Sequence, residues 1–129
     1  MQSLLAHLAG DYVVQTNWQA QRKVSEHLPA ALHAASYTAC FLPLTRDWRR
    51  LAVIGGTHFV IDRWRLAKHL TWAKNQLAPR QYRYSWEEGK GNSGFDKDTP
   101  DWLSTWLMII VDNSVHLAIN ELALSFRRK

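Results

Sequence analysis

Three histidine–aspartate pairs stand four residues apart in this chain: His7 with Asp11, His58 with Asp62 and, in reverse order, Asp112 with His116. Each interrupts an otherwise apolar run: LLAHLAGDYVV, AVIGGTHFVID and WLMIIVDNSVHLAI. On an α-helix, residues four apart share one face, about one turn or ~6 Å along the axis. Each pair therefore aims an imidazole and a carboxylate at the same place. These two groups bind divalent transition metals without a thiolate. Random placement of the 6 histidines would give fewer than one such pair. A helix face turned to water usually carries Lys, Glu, Gln and Arg; here the polar stripe is narrow and flanked by Leu, Val, Ile and Ala. Burying an isolated carboxylate costs several kcal/mol unless it is paired or holds an ion. The pattern predicts a metal site, with buried His–Asp pairs that merely lock helices together as the alternative.

The elements that must position these groups read as an all-α, single-domain helical bundle over residues 1–129, with four main helices. The first covers 2–14 and breaks at Gln15-Thr16-Asn17 before a shorter piece, WQAQRKV. The second runs 29–44, with Pro29 suited to a first helical turn and His33 and Tyr37 one turn apart. The third spans 46–76 behind Thr45 as N-cap, with Asp47 in the turn that follows. Gly55-Gly56 within it marks a kink or a close approach to a neighbouring helix. The fourth starts at Thr99-Pro100-Asp101, where cap, proline and acid coincide, and runs to Phe126. Residues 78–99, polar and long for a connection, form a lid-like or mobile loop. If the third and fourth helices run antiparallel, the reversed Asp112–His116 order sets like beside like. With His7, Asp11 and His33, four helices then deliver four His and three Asp to one level.

Seven such ligands exceed one tetrahedral ion and suit two, bridged by a carboxylate and able to activate water for phosphoryl displacement. A single zinc with three protein ligands and an open position is the economical alternative. The mixed set His7, Asp11, His33, His58, Asp62, Asp112 and His116 favours Zn, Mn, Fe, Co or Ni over Ca or Mg. His33 is a ligand or a general base, and Asp62 belongs to both the metal and the chemistry. On the third helix His58, Asp62, Arg65 and His69 share one face, so Arg65 is a candidate catalytic cation for a phosphate oxygen. Tyr37 either reaches substrate or completes the core, and His27 in SEHLP reads as a turn residue. GKGNSG lacks the flanking strand and helix of a phosphate loop. No Cys pair suggests a zinc finger, and no nucleophile elbow is present.

At 47% hydrophobic and 21% charged residues the chain is globular rather than disordered. The 7 tryptophans suit cores, interfaces and membrane boundaries equally. The single Cys40 forms no internal disulfide and reads as a small buried hydrophobe. No secretory signal is visible. No apolar run reaches the ~18 uninterrupted residues of a spanning helix, because His33, His58 and the Asp112–His116 stretch interrupt each candidate. The mean hydropathy of -0.32 agrees. The expected location is the cytoplasm of a host cell, with membrane association as the alternative. The net charge of +5, with clusters at Arg22-Lys23, Arg46/Arg49/Arg50, Arg63/Arg65/Lys68, Arg80/Arg83 and Arg127-Arg128-Lys129, attracts an anionic substrate, nucleic acid or a membrane surface. A host protein is a further candidate partner. Oligomeric state is not legible.

HLAGDYVVQTNWQAQRK, the His33 helix, THFVIDRWRLAKHLTWAKN and WLMIIVDNSVHLAINELAL resemble a phage and bacterial helical family, domain of unknown function three-three-zero-seven, whose members are often described as membrane proteins. More distantly, the spacing is similar to membrane-bound metal-dependent hydrolases with His/Asp motifs on successive helices. The resemblance implies the same seven metal ligands and draws attention to Gln15, Trp18, Arg63 and Asn75. Ligand chemistry and this analogy together point to a metal-dependent hydrolase of a phosphoester: a nucleotide, nucleic acid or phospholipid. The alternative is a non-enzymatic phage interaction protein with a structural metal and a basic binding surface.

Overall fold

The computed structural model describes residues 1–126; the expected basic tail Arg127-Arg128-Lys129 lies outside them. The described residues are all-helical. Seven α-helices follow one another: α1 (Gln2–Leu8), α2 (Asn17–Arg22), α3 (His27–Ala39), α4 (Trp48–Trp64), α5 (Leu66–Asn75), α6 (Trp86–Gly89) and α7 (Asp101–Ser125). A π-helical turn, Ala9–Val13, continues α1, and a 3-10 turn, Arg80–Tyr82, precedes α6. The chain divides into two compact units, residues 1–64 with 116 onward, and residues 65–115.

In the first unit the expected break after the first helix is a built start for the next. Thr16 and Gln19 form a capping box at the N-terminus of α2, each satisfying a backbone donor of the other's end. α4 starts at Trp48, later than expected, because Asp47 Oδ1 takes the Arg49 N–H at 3.0 Å. It then continues as one helix through Gly55-Gly56. Gly55 is a close approach: a Cβ there would overlap Thr38 Oγ1 of α3, so the small residue draws α3 and α4 together. Their shared core is Tyr37, Phe41 and Ile54 with Ala6 of α1 and Ala123 of α7. Arg50 donates to the Leu124 carbonyl at 2.9 Å, tying α4 to the end of α7.

The second unit corrects the expected third helix. At Arg65 the backbone turns left-handed (φ 49°, ψ 48°), a conformation that costs a non-glycine residue about 1–2 kcal/mol. The helix therefore ends at Trp64 and α5 begins afresh. Residues 78–99 are pinned by hydrogen bonds. Trp72 Nε1 and Gln76 Nε2 donate to the Tyr84 carbonyl, Asn75 donates to the Tyr84 hydroxyl, and that hydroxyl donates to the Gly94 carbonyl at 2.8 Å. Asn92 donates to the carbonyls of Asp96 and Thr99 at 2.8 and 2.7 Å. α7 opens at Asp101 as its Thr-Pro-Asp signal predicts. At 25 residues, with mean hydropathy 1.4 over its best window, it is long and apolar enough to cross a membrane. His116 and Asp112 do not lower the average below that level, which corrects the expectation of no such segment.

Candidate metal centre

The site grows from a close helix contact. Gly10 lies in the π-helical turn, and a Cβ at this position would overlap the Tyr37 ring. Without it, the turn carrying Asp11 settles onto α3. The wider π-turn follows directly on α1, so His7 still lies near Asp11, with Nδ1 3.5 Å from Oδ2. Tyr37 is fully buried and lies flat against His58, with ring centroids 3.6 Å apart and planes 14° from parallel. That stack fixes the plane of the His58 imidazole.

Four donor atoms from three segments, the π-turn, α3 and α4, then converge. His33 Nε2 stands 3.2 Å from Asp11 Oδ1 and 3.3 Å from Asp62 Oδ2. His58 Nε2 stands 3.3 Å from Asp11 Oδ1 and 3.2 Å from Asp62 Oδ2. The two Nε2 atoms are 3.0 Å apart. These are five of the six edges of a tetrahedron, and its four atoms all lie within 4.8 Å of one another. With the sixth edge between the length of the other five and the 4.8 Å limit, the centre lies about 2.0–2.4 Å from every vertex, a range that includes zinc–nitrogen and zinc–oxygen bonds. All four residues are buried, and they could hold a metal ion.

Electrostatics favour a cation at that centre. Imidazoles protonated only at Nδ1 would point lone pairs at each other and at two carboxylate oxygens, while protons on both Nε2 atoms would face each other across 3.0 Å. Asp11 Oδ1 is buried and has two imidazole nitrogens as its near neighbours, His33 Nε2 at 3.2 Å and His58 Nε2 at 3.3 Å. The Nδ1 atoms of His33 and His58 are buried without partners among the described residues, so Nε2 is where each ring can recover its burial cost. Burial by itself would raise the Asp62 carboxyl, but hydrogen bonds from His116, His33 and His58 outweigh it and hold Asp62 well below the usual carboxylate range. Asp11 is lowered for the same reason, with His33 as the main opposing partner to burial. Burial pushes the His58 imidazole down. His33 is also pulled down by burial, yet hydrogen bonds to Asp11 and Asp62 win and raise it.

A second layer orients the carboxylates. His116 Nε2 lies 3.2 Å from Asp62 Oδ1, the oxygen turned away from the tetrahedron. His7 Nδ1 meets the Tyr37 hydroxyl at 2.8 Å, and Asn120 Nδ2 donates to the same hydroxyl at 2.7 Å. Partners of this kind fix ligand rotamers and tune affinity.

The structure thus brings His7, Asp11, His33, His58, Asp62 and His116 together in the first unit. His7 and His116 stand behind carboxylates rather than at the tetrahedron. The expected like-beside-like packing holds for His58 and His116, whose ring centroids are 4.3 Å apart. Asp112 lies one turn before His116 on α7, half-buried, in the second unit. His58, Asp62, Arg65 and His69 do not lie on one continuous helix, because the backbone turns left-handed at Arg65. Arg65 is exposed at the head of α5, and His69 stacks on Trp86 at 4.4 Å. Arg63 ties α4 to the turn before α3, donating to the carbonyls of Val24 and Ser25 and to His27. Asn75 serves Tyr84, Gln15 is half-buried, and Trp18 is exposed.

Two residues escaped the sequence reading. Lys23 Nζ contacts Asp62 Oδ2 at 2.7 Å, and Asn120 anchors Tyr37. Asn120 was legible in principle, since it continues the Asp112–His116 stripe by four residues. Lys23 carried no signal beyond a basic pair.

A family model described as protein of unknown function (DUF3307) matches residues 1–84. The chain belongs to that family. The matched segment contains all four donors of the tetrahedron together with Lys23 and Tyr37, so the centre is a feature of the family region. His116 and Asn120 lie beyond it. No curated protein and no solved structure matches the chain.

Proposed function

We propose that this protein is a metal-dependent hydrolase of phosphoesters that works at a membrane. The observation that carries the reading is the buried His–Asp tetrahedron with metal-bond dimensions. A divalent ion held there would supply Lewis-acid activation of water and of a phosphoryl oxygen. Two nitrogens and two oxygens suit Zn, Mn, Fe, Co or Ni, and the tetrahedral set accounts for one ion. Asp11, His58 and Asp62 are the ligands. His33, which faces both carboxylates, is either the fourth ligand or the base that takes the proton from water, the latter leaving an open position for substrate. His7 and His116 orient the carboxylates. The cation beside the centre is Lys23, whose Nζ lies 2.7 Å from Asp62 Oδ2.

The membrane setting follows from the helix surfaces. α1 and the π-turn after it bury His7 and Asp11, and α1 exposes Leu4, Leu5 and Leu8; α3 exposes Leu28 and Leu32; α4 exposes Val60 and Trp64. No charged residue falls between Arg50 and Asp62. Polar residues inside and apolar ones outside is the arrangement suited to lipid, and contiguous exposed apolar faces mark an interaction surface. Arg46 before α4, Arg49 in its first turn and Arg63 at its end match anionic headgroups. Among phosphoesters this favours a phospholipid over a nucleotide or nucleic acid.

Metal analysis of the purified chain, followed by hydrolysis of a generic phosphodiester and of phospholipid vesicles, tests the reading. Stoichiometric metal that disappears in Asp62→Ala, with matching loss of turnover, supports it. Metal-free protein of full thermal stability overturns it. For the membrane setting, the chain should stay with vesicles through an alkaline carbonate wash; release by salt alone would refute lipid contact through the apolar faces.

One observation favours a second reading. Four protein donors complete a tetrahedral shell, as structural zinc sites do, and the protein would then be a non-enzymatic phage interaction protein binding a host protein or nucleic acid through its basic surface. Chelation should then unfold the chain while no substrate turns over.

A further inference from the structure

Lys23 follows α2, in the turn before α3, and most lysines in such turns hold their ammonium in water. This one runs inward, and its side chain is only 19% exposed. Nζ stands 2.7 Å from Asp62 Oδ2 and 3.3 Å from His33 Nε2. Both atoms are vertices of the donor tetrahedron, and they are 3.3 Å from each other. That triangle puts the ammonium within about 3.7 Å of the centre of a tetrahedral site. A divalent ion and an ammonium so close, in a pocket shielded from water, repel strongly. The two cations contend for the same carboxylate oxygen and the same imidazole.

A purely structural metal site has no use for this residue, because positive charge against a ligand weakens metal binding. We propose that Lys23 is a specificity-determining residue, a built-in cation that competes with the metal for Asp62 Oδ2 and His33 Nε2. Only an ion that binds nitrogen and oxygen donors strongly evicts the ammonium. Weakly held, strongly hydrated Mg or Ca does not, whereas ions high in the affinity order, such as Co, Ni and Zn, do. The four-carbon arm is flexible, so eviction moves the ammonium outward along its part-exposed path. The inference rests on the metal-site reading proposed above.

The test uses the full chain and Co(II) or Zn(II) alone. Metal affinity is measured for wild type and Lys23→Met, with Co(II) absorption reporting tetrahedral binding. The expected result is binding tighter by about tenfold or more in Lys23→Met, with measurable gain of Mg(II) binding. A second measurement needs no variant: acylation of Lys23 in the wild type, followed by mass spectrometry, should quicken several-fold when Zn(II) is added and not when Mg(II) is. Wild type that binds metal, with Lys23→Met no tighter and acylation unchanged or slower, overturns the competition and leaves the site standing. If neither protein binds Co(II) or Zn(II), the metal site itself falls, and the competition with it.

Discussion

Asp62→Asn removes one charge from the centre while keeping the shape of the side chain, and its consequences can be worked from the contacts. Asp62 Oδ2 accepts from Lys23 at 2.7 Å, and Oδ1 faces His116 Nε2 at 3.2 Å. The Asp62 side chain is only 5% exposed, Lys23 19%. Removing one partner of a buried pair costs about 3–5 kcal/mol, and the part-exposed ammonium places this case at the lower end, about 3 kcal/mol. For a chain of this size that lowers Tm by roughly 10–15 °C. The second consequence concerns metal. A ligand at a hundred times its Kd stabilises the folded state by about 2.7 kcal/mol, a further upward shift of roughly 10 °C in wild type. Asp62→Asn should show almost none of it. Thermal unfolding followed by circular dichroism, with and without Zn(II), measures both shifts. Equal metal-induced shifts in the two proteins would refute coordination through Asp62, and a metal-free Tm within about 2 °C of wild type would refute the buried pair.

His116→Ala should weaken Zn(II) binding by about 10–100-fold without abolishing it, since His116 braces the outer oxygen of Asp62; titration against a chelator of known affinity reads this, and complete loss would make His116 a ligand. Acid should destabilise the metal-free chain. Asp62 and Asp11 are depressed in the folded state, so their contribution is present above the ordinary carboxylate value near 3.8 and is lost as pH falls below it. His33 is raised and His58 lowered about 6.5, so their contributions oppose each other through the neutral range; a steep stability change there instead, in a pH series of urea melts, would contradict the assignment. Gly10→Ala forces the π-turn off Tyr37 and should destabilise the fold by about 1–3 kcal/mol, with metal affinity falling alongside; an unchanged urea midpoint would show that the turn does not need the close approach.

Much of the site was legible because helical spacing is a local property. His7 with Asp11 and His58 with Asp62 lie on apolar helices, and a carboxylate in such a run must find a partner or an ion. The all-helical class, the Thr16 start of α2 and the Asp101 start of α7 follow from side chains capping their own backbone. Gly55 was legible as a close approach, though nothing local named Thr38 as the neighbour.

Tertiary structure decided the rest. Which oxygen of Asp62 meets which imidazole depends on how α3 and α4 pack, and spacing along one helix carries no such information. Lys23 reaches the centre because a turn points its flexible arm inward, while the expected helical stripe stops at Arg65, where one left-handed residue ends the helix. The division of labour among the histidines, His33 and His58 at the tetrahedron with His7 and His116 behind the carboxylates, likewise exists only once separate helices meet. Sequence determined which groups had to be buried together; packing determined the distances between them, and a site with metal-bond dimensions is a matter of distances.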